Sequence, residues 1–68
     1  MMSAPYRLFQ GKDTRQIDGH TTQGARDIAW YWEPVTYEGD VLYSNPYESK
    51  NEAESAAQDA YDNGSFTV

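Results

Sequence analysis

The amino-acid sequence predicts a small α+β domain, in which an antiparallel sheet of three strands, or four, packs against one C-terminal helix. Three observations predict it. Ser49-Lys50-Asn51-Glu52 has the form of a capping box, and Ala53, Ala56, Ala57, Ala60 and Tyr61 follow at helical spacing. Residues 27–37 alternate, with Ile28, Trp30 and Trp32 on one side and Ala29, Tyr31 and Glu33 on the other. The chain has 68 residues and no cysteine, but six Tyr, two Trp and two Phe. One domain over residues 1–68 must therefore build its core from aromatic rings, without disulfides or thiolate metal sites.

The first strand is expected after Pro5, over Tyr6-Arg7-Leu8-Phe9-Gln10, because proline is tolerated where no ladder N–H is needed. Gly11-Lys12-Asp13-Thr14 reads as a turn. Residues 15–26 are polar, with Ile17 the one large apolar side chain, so residues 11–26 are partly loop. Two readings stand for them: a weak extra strand around Arg15 to Asp18 followed by a loop, or a flexible functional loop. The Trp strand comes next, with Pro34 marking a bulge or an edge and Glu33 making the Tyr31 side the wetter one. Glu38-Gly39-Asp40 is a hairpin turn candidate, Val41 to Ser44 the returning partner strand, and Asn45-Pro46 a second turn. The helix is expected from Lys50 to Asp62, with Asn63-Gly64 as its stop. Alone it would be marginal in water, so its alanine stripe must lie on the face carrying Trp30 and Trp32. Phe66 and Val68 can then fold back over the core.

Charge is distributed unevenly. The net charge is −6, yet four of the five basic residues (Arg7, Lys12, Arg15 and Arg26) lie in residues 1–26 with only Asp13 and Asp18. Residues 27–68 hold nine acids against Lys50 alone. Such a surface repels nucleic acid and anionic lipid and attracts basic surfaces. The plainer alternative is acidity that only keeps the protein dispersed. No apolar run approaches the roughly 20 residues of a membrane span. Met1 to Pro5 lacks a signal-peptide pattern, so the expectation is a cytoplasmic protein.

The run Trp30-Tyr31-Trp32, the return Gly39-Asp40-Val41-Leu42, and Ser44-Asn45-Pro46-Tyr47-Glu48-Ser49-Lys50 with Ala53-Glu54 resemble the YegP-like family of small bacterial proteins. The resemblance covers residues 28–60 and implies a β-β-β-α unit; the family's usual Asn-Gly turn is replaced here. The amino-terminal DNA-binding domains of tyrosine recombinases have a similar plan, with basic sheet strands. Here the strands after residue 27 carry no Lys or Arg, so direct binding of duplex DNA is not expected. In size, acidity and lack of cysteine the chain also resembles phage anti-CRISPR proteins, several of which imitate the negative surface of DNA.

At 100° per residue, Glu52, Asp59 and Asp62 share a stripe within about 80°, roughly 140° from the alanines. Their axial separations of about 10 and 4.5 Å are on the scale of spaced phosphates. Asp59 and Asp62 also occupy the last turn, where the helix dipole disfavours negative charge. The candidate partner-binding residues are therefore Glu48, Glu52, Asp59 and Asp62, with Glu38 and Asp40 as a second cluster. The competing reading is an ordinary solvated face. His20 is the one histidine and has no second ligand at metal spacing; Ser44, Ser49 and Ser55 lack a nucleophile elbow; no phosphate-binding glycine pattern occurs. Trp30 and Trp32 could stack bases, but their face has to cover the helix. The expectation is a non-enzyme without cofactor or metal. It would be a monomer or weak homodimer whose partner is a basic nucleic-acid-binding protein or complex, such as a CRISPR effector. The alternative is a YegP-like accessory module that self-associates through a sheet edge.

Overall fold

The computed structural model describes residues 4–17 and 20–67, except for the side chains of residues 15–17 and 21. Strands β1 (Tyr6–Gly11), β2 (Thr14–Ile17), β3 (His20–Gln23) and β4 (Ala29–Pro34) precede helix α1 (Lys50–Asp62). β1 pairs antiparallel with β4, and β2 with β3, giving two two-stranded ladders. The α+β arrangement, antiparallel sheet against one C-terminal helix, is the one the sequence predicts.

The β1–β4 register sets Leu8 opposite Trp32 and Phe9 opposite Tyr31. On the far edge of β4, Tyr47 makes one antiparallel bridge to Trp30, with two backbone hydrogen bonds of 2.8 Å. The Trp32 side forms the core. Trp32 packs with Ala57 and Phe66, and Tyr6, Leu8, Tyr47, Ala56 and Ala60 surround them. The alanines do what their small size permits: Ala53 and Ala57 are fully buried, which brings the helix backbone close to the sheet. Phe66 folds back as expected, its ring centroid 5.4 Å from that of Trp32; Val68 lies outside the described residues.

Both helix ends behave as local chemistry dictates. The Ser49 hydroxyl accepts from the Glu52 N–H at 3.2 Å, and Glu52 Oε2 accepts from the N–H groups of Ser49 and Glu48 at 3.2 and 3.1 Å. At the C-terminus the Ser65 N–H reaches the Ala60 carbonyl and the Gly64 N–H the Tyr61 carbonyl, with Gly64 at φ 81°. This is a Schellman closure, which needs the left-handed conformation that glycine adopts without penalty.

Four expectations about the sheet are corrected. Val41 to Ser44 forms no strand, and Glu38-Gly39-Asp40 turns no hairpin. The positions beside β4 are already taken by β1 and Tyr47, and the Trp32 N–H is accepted by the Ser44 hydroxyl at 3.0 Å instead of by a returning backbone. The loop is held by side chains: Tyr37 donates its hydroxyl to the Val41 carbonyl, and Arg7 Nη2 donates to the Tyr37 carbonyl. The Tyr31 side is not the wetter one, because Tyr31 and Ala29 are fully buried. Tyr31 stacks on Phe9, and its hydroxyl donates to the Lys12 carbonyl and accepts from the Thr14 N–H. Glu33 stays on that face by pairing with Arg7 at 2.7 Å. Ile28 precedes β4 and is exposed, so it does not join Trp30 and Trp32.

The extra strand around Arg15 takes the form of β2, and a second strand, β3, follows where a loop was the other half of that reading; Asp18 and Gly19 lie outside the described residues. The backbone of this ladder lies against none of the other elements. Its root is anchored by Asp13, which is buried. Asp13 Oδ2 accepts from the Arg26 N–H at 3.1 Å and faces the Arg26 guanidinium at 3.6 Å. A Cβ at Gly24 would collide with that carboxylate, so the close approach requires glycine there.

Candidate acidic surface and the clefts beside helix α1

All six predicted partner-binding acids are exposed. Two ion pairs occur among the described residues, Arg7–Glu33 and Arg26–Asp13, and neither uses any of the six. Among the described residues, Arg7, Lys12 and Arg26 therefore do not neutralise these six acids through ion pairs. The six are not equivalent. Glu52 has one carboxylate oxygen committed to the helix cap. Asp62 Oδ1 accepts from Gln58 Nε2 at 3.0 Å, while Gln58 Oε1 accepts from the Tyr6 hydroxyl at 3.2 Å. Glu48 and Asp59 make no side-chain hydrogen bond among the described residues. Glu38 and Asp40 sit on the loop after β4, on a different element from the others.

The field of the helix acids is registered at Tyr6. Its phenol is held above the ordinary value of 10.0, first by burial and then by the negative charges of Glu54 and Asp62. Glu54 is thus an acid that the predicted stripe left out. On a helical wheel it falls outside the Glu52–Asp59–Asp62 sector, and only the packing of β1 beside the helix brings it near Tyr6.

Two shallow clefts open beside the helix. One, of about 490 Å³, is lined by Arg26, Pro46, Tyr47, Glu48, Asn51, Glu52 and Ser55. The other, of about 280 Å³, is lined by Tyr6, Asn51, Glu54, Ser55 and Gln58. Asn51 and Ser55 belong to both, so the clefts adjoin along one ridge of the helix. No sequence motif pointed to them, because their walls come from the Arg26 turn, the segment before the helix, β1 and α1 itself.

The other candidate groups are engaged elsewhere or stand apart. The Ser44 and Ser49 hydroxyls bond to backbone groups, and no hydrogen bond joins His20 to any serine among the described residues. Among those residues, no group of three or more His, Asp or Glu side chains is placed to hold a metal ion. Among the described residues, no helix is long and apolar enough to cross a membrane.

Fold and surface together define a small α+β domain with an exposed acidic helix. No protein-family model, curated protein or solved structure matches the chain, so these comparisons bear neither for nor against a YegP-like or anti-CRISPR assignment.

Proposed function

We propose that this protein is a non-enzymatic acidic binding protein that occludes a nucleic-acid-binding surface of a partner by imitating the negative surface of DNA. In its most concrete form it is a phage or mobile-element anti-CRISPR inhibitor, acting on a CRISPR effector in the cytoplasm of a bacterial host. The observation that supports this reading is the set of exposed acids without ion pairs among the described residues, while Arg7 and Arg26 are engaged with Glu33 and Asp13. Glu48, Glu52, Asp59 and Asp62 present the charge, with Glu38 and Asp40 on the neighbouring loop.

The test is competition. Labelled duplex DNA bound to purified CRISPR effector complexes of several types is titrated with the protein and followed by fluorescence anisotropy. Displacement from at least one complex, weakening as salt rises, is expected. Failure to displace DNA from any of them overturns the inhibitor reading.

One observation favours the YegP-like alternative of a self-associating module. Among the described residues β1 has a ladder partner on one edge alone, and an open edge can pair with another chain. A stable dimer in light scattering, with no affinity for cationic DNA-binding proteins, would select that alternative.

A further inference from the structure

We propose that the outer edge of β1 pairs antiparallel with the same edge of a second copy of this chain, in a register centred on Leu8. This rests on the self-associating reading and deepens it by assigning the interface; it is independent of DNA displacement.

The phase of the β1–β4 ladder fixes which backbone groups face outward. In an antiparallel pair, alternate residues exchange hydrogen bonds, and the residues between them turn their N–H and C=O groups to the opposite edge. The Val35 N–H donates to the Pro5 carbonyl at 3.1 Å, so along the same register Arg7 bonds to Glu33 and Phe9 to Tyr31. Trp30 and Trp32 therefore face away from β1, and there they meet partners: Tyr47 bonds both backbone groups of Trp30, and the Ser44 hydroxyl accepts from the Trp32 N–H. By the same phase, Tyr6, Leu8 and Gln10 turn their backbone groups away from β4. Among the described residues none of these groups has a hydrogen-bond partner, and β1 lies against β4 and α1 alone. No bulge interrupts the six paired positions of β1, and an unbroken open edge is a template for another strand.

Self-complementarity points to a second copy and sets the register. With Leu8 opposite Leu8 of the second copy, Tyr6 lies opposite Gln10, so all three outward residues are matched and each pair exchanges two hydrogen bonds. Arg7, whose side chain is half exposed, then lies opposite Phe9 of the second copy, where guanidinium and ring attract. Sliding to place Tyr6 opposite Leu8 sets Arg7 against Arg7, a destabilising like-charge pair, and leaves Gln10 unmatched. Sliding the other way leaves Tyr6 unmatched. Opposite residues of an antiparallel pair share a face, so both helices lie on one side of a four-stranded sheet. Since α1 lies over both β4 and β1, the helix axes fall roughly 10–14 Å apart at strand spacings of about 4.8 Å. Packed helices need about 8–10 Å, so both fit. Each copy carries a net charge of −6, so salt should strengthen the dimer, opposite to its effect on DNA displacement.

Sedimentation velocity over a concentration series reads the dimer, and amide hydrogen exchange by NMR reads the interface in the unmodified protein. Association is expected to be reversible and to tighten between about 50 and 500 mM salt. Between dilute and concentrated samples, exchange at the Tyr6, Leu8 and Gln10 amides should slow about tenfold, while Arg7 and Phe9, already bonded to β4, should not change. Gln10→Pro removes one outward N–H per copy at an exposed position and should weaken association about tenfold; Gln10→Ala keeps the N–H and should associate as the unmodified protein does. A dimer whose Tyr6, Leu8 and Gln10 amides exchange as fast as in the monomer overturns the β1 edge and leaves self-association standing. A folded Gln10→Pro variant that dimerises unchanged does the same. A protein that stays monomeric at about 1 mM overturns both, at a free energy of association weaker than about 4 kcal/mol. If Gln10→Pro does not fold, the exchange pattern of the unmodified protein decides.

Discussion

Reversing Asp59 and Asp62 to lysine separates what the acids do for the fold from what they do for binding. Both residues lie in the last turn of α1, which holds no basic residue, so both oppose the helix dipole. Lysine at these positions should be favourable by about 0.3–1 kcal/mol per site. Against this stands the exposed Gln58–Asp62 hydrogen bond at 3.0 Å, whose loss costs about 0.5 kcal/mol. The double variant should therefore be more stable by roughly 0.1–1.5 kcal/mol, which in a domain of this size raises Tm by up to about 10 °C. It also relieves part of the net charge of −6. Thermal unfolding followed by far-ultraviolet circular dichroism reads the effect, and the gain should shrink at high salt, where the dipole term is screened. The same variant should lose displacement of DNA from the effector that the unmodified protein inhibits. A more stable variant that displaces DNA as well as before would refute the binding role of these two acids. A less stable variant would refute the electrostatic account of the last turn.

Two other predictions rest on tyrosines. Tyr31→Phe removes a fully buried hydroxyl that serves the Lys12 carbonyl and the Thr14 N–H; it should destabilise the domain by about 1–3 kcal/mol in denaturant unfolding. Tyr6 has a folded-state pKa above 10.0, so the folded form holds the proton more tightly and stability should fall as pH rises through the ordinary tyrosine value toward the folded one. The Tyr6 Cζ shift in NMR should follow that titration, and Glu54→Gln should move it back toward 10.0, though not fully, because burial is the larger cause.

How much could be read from the sequence tracks how local the determinants are. Both ends of α1 were legible because the Ser49–Glu52 box and the Gly64 turn act within a few residues. The inward side of the helix was legible because alanine spacing reports it directly. The pairing of β4 was not: its neighbour is β1, more than twenty residues earlier, and a serine hydroxyl stands where the expected return strand would have bonded. The burial of Tyr31 was hidden for the same reason, since alternation places a side chain on a face but does not say what covers it. The six acids were legible as charges and as an exposed set, whereas the clefts beside them depend on Arg26, Tyr47 and Tyr6 converging from three segments.

The β2–β3 ribbon, rooted by Asp13, Arg26 and Gly24 and tied to β4 where Thr14 meets the Tyr31 hydroxyl, has a backbone that lies against no other element, which gives the molecule two regimes of evolutionary freedom. Changes along α1 must keep the alanine register or the helix loses its seat. A change in the length of the ribbon leaves the seat of the helix untouched, because the ladder's backbone lies against none of β1, β4 and α1.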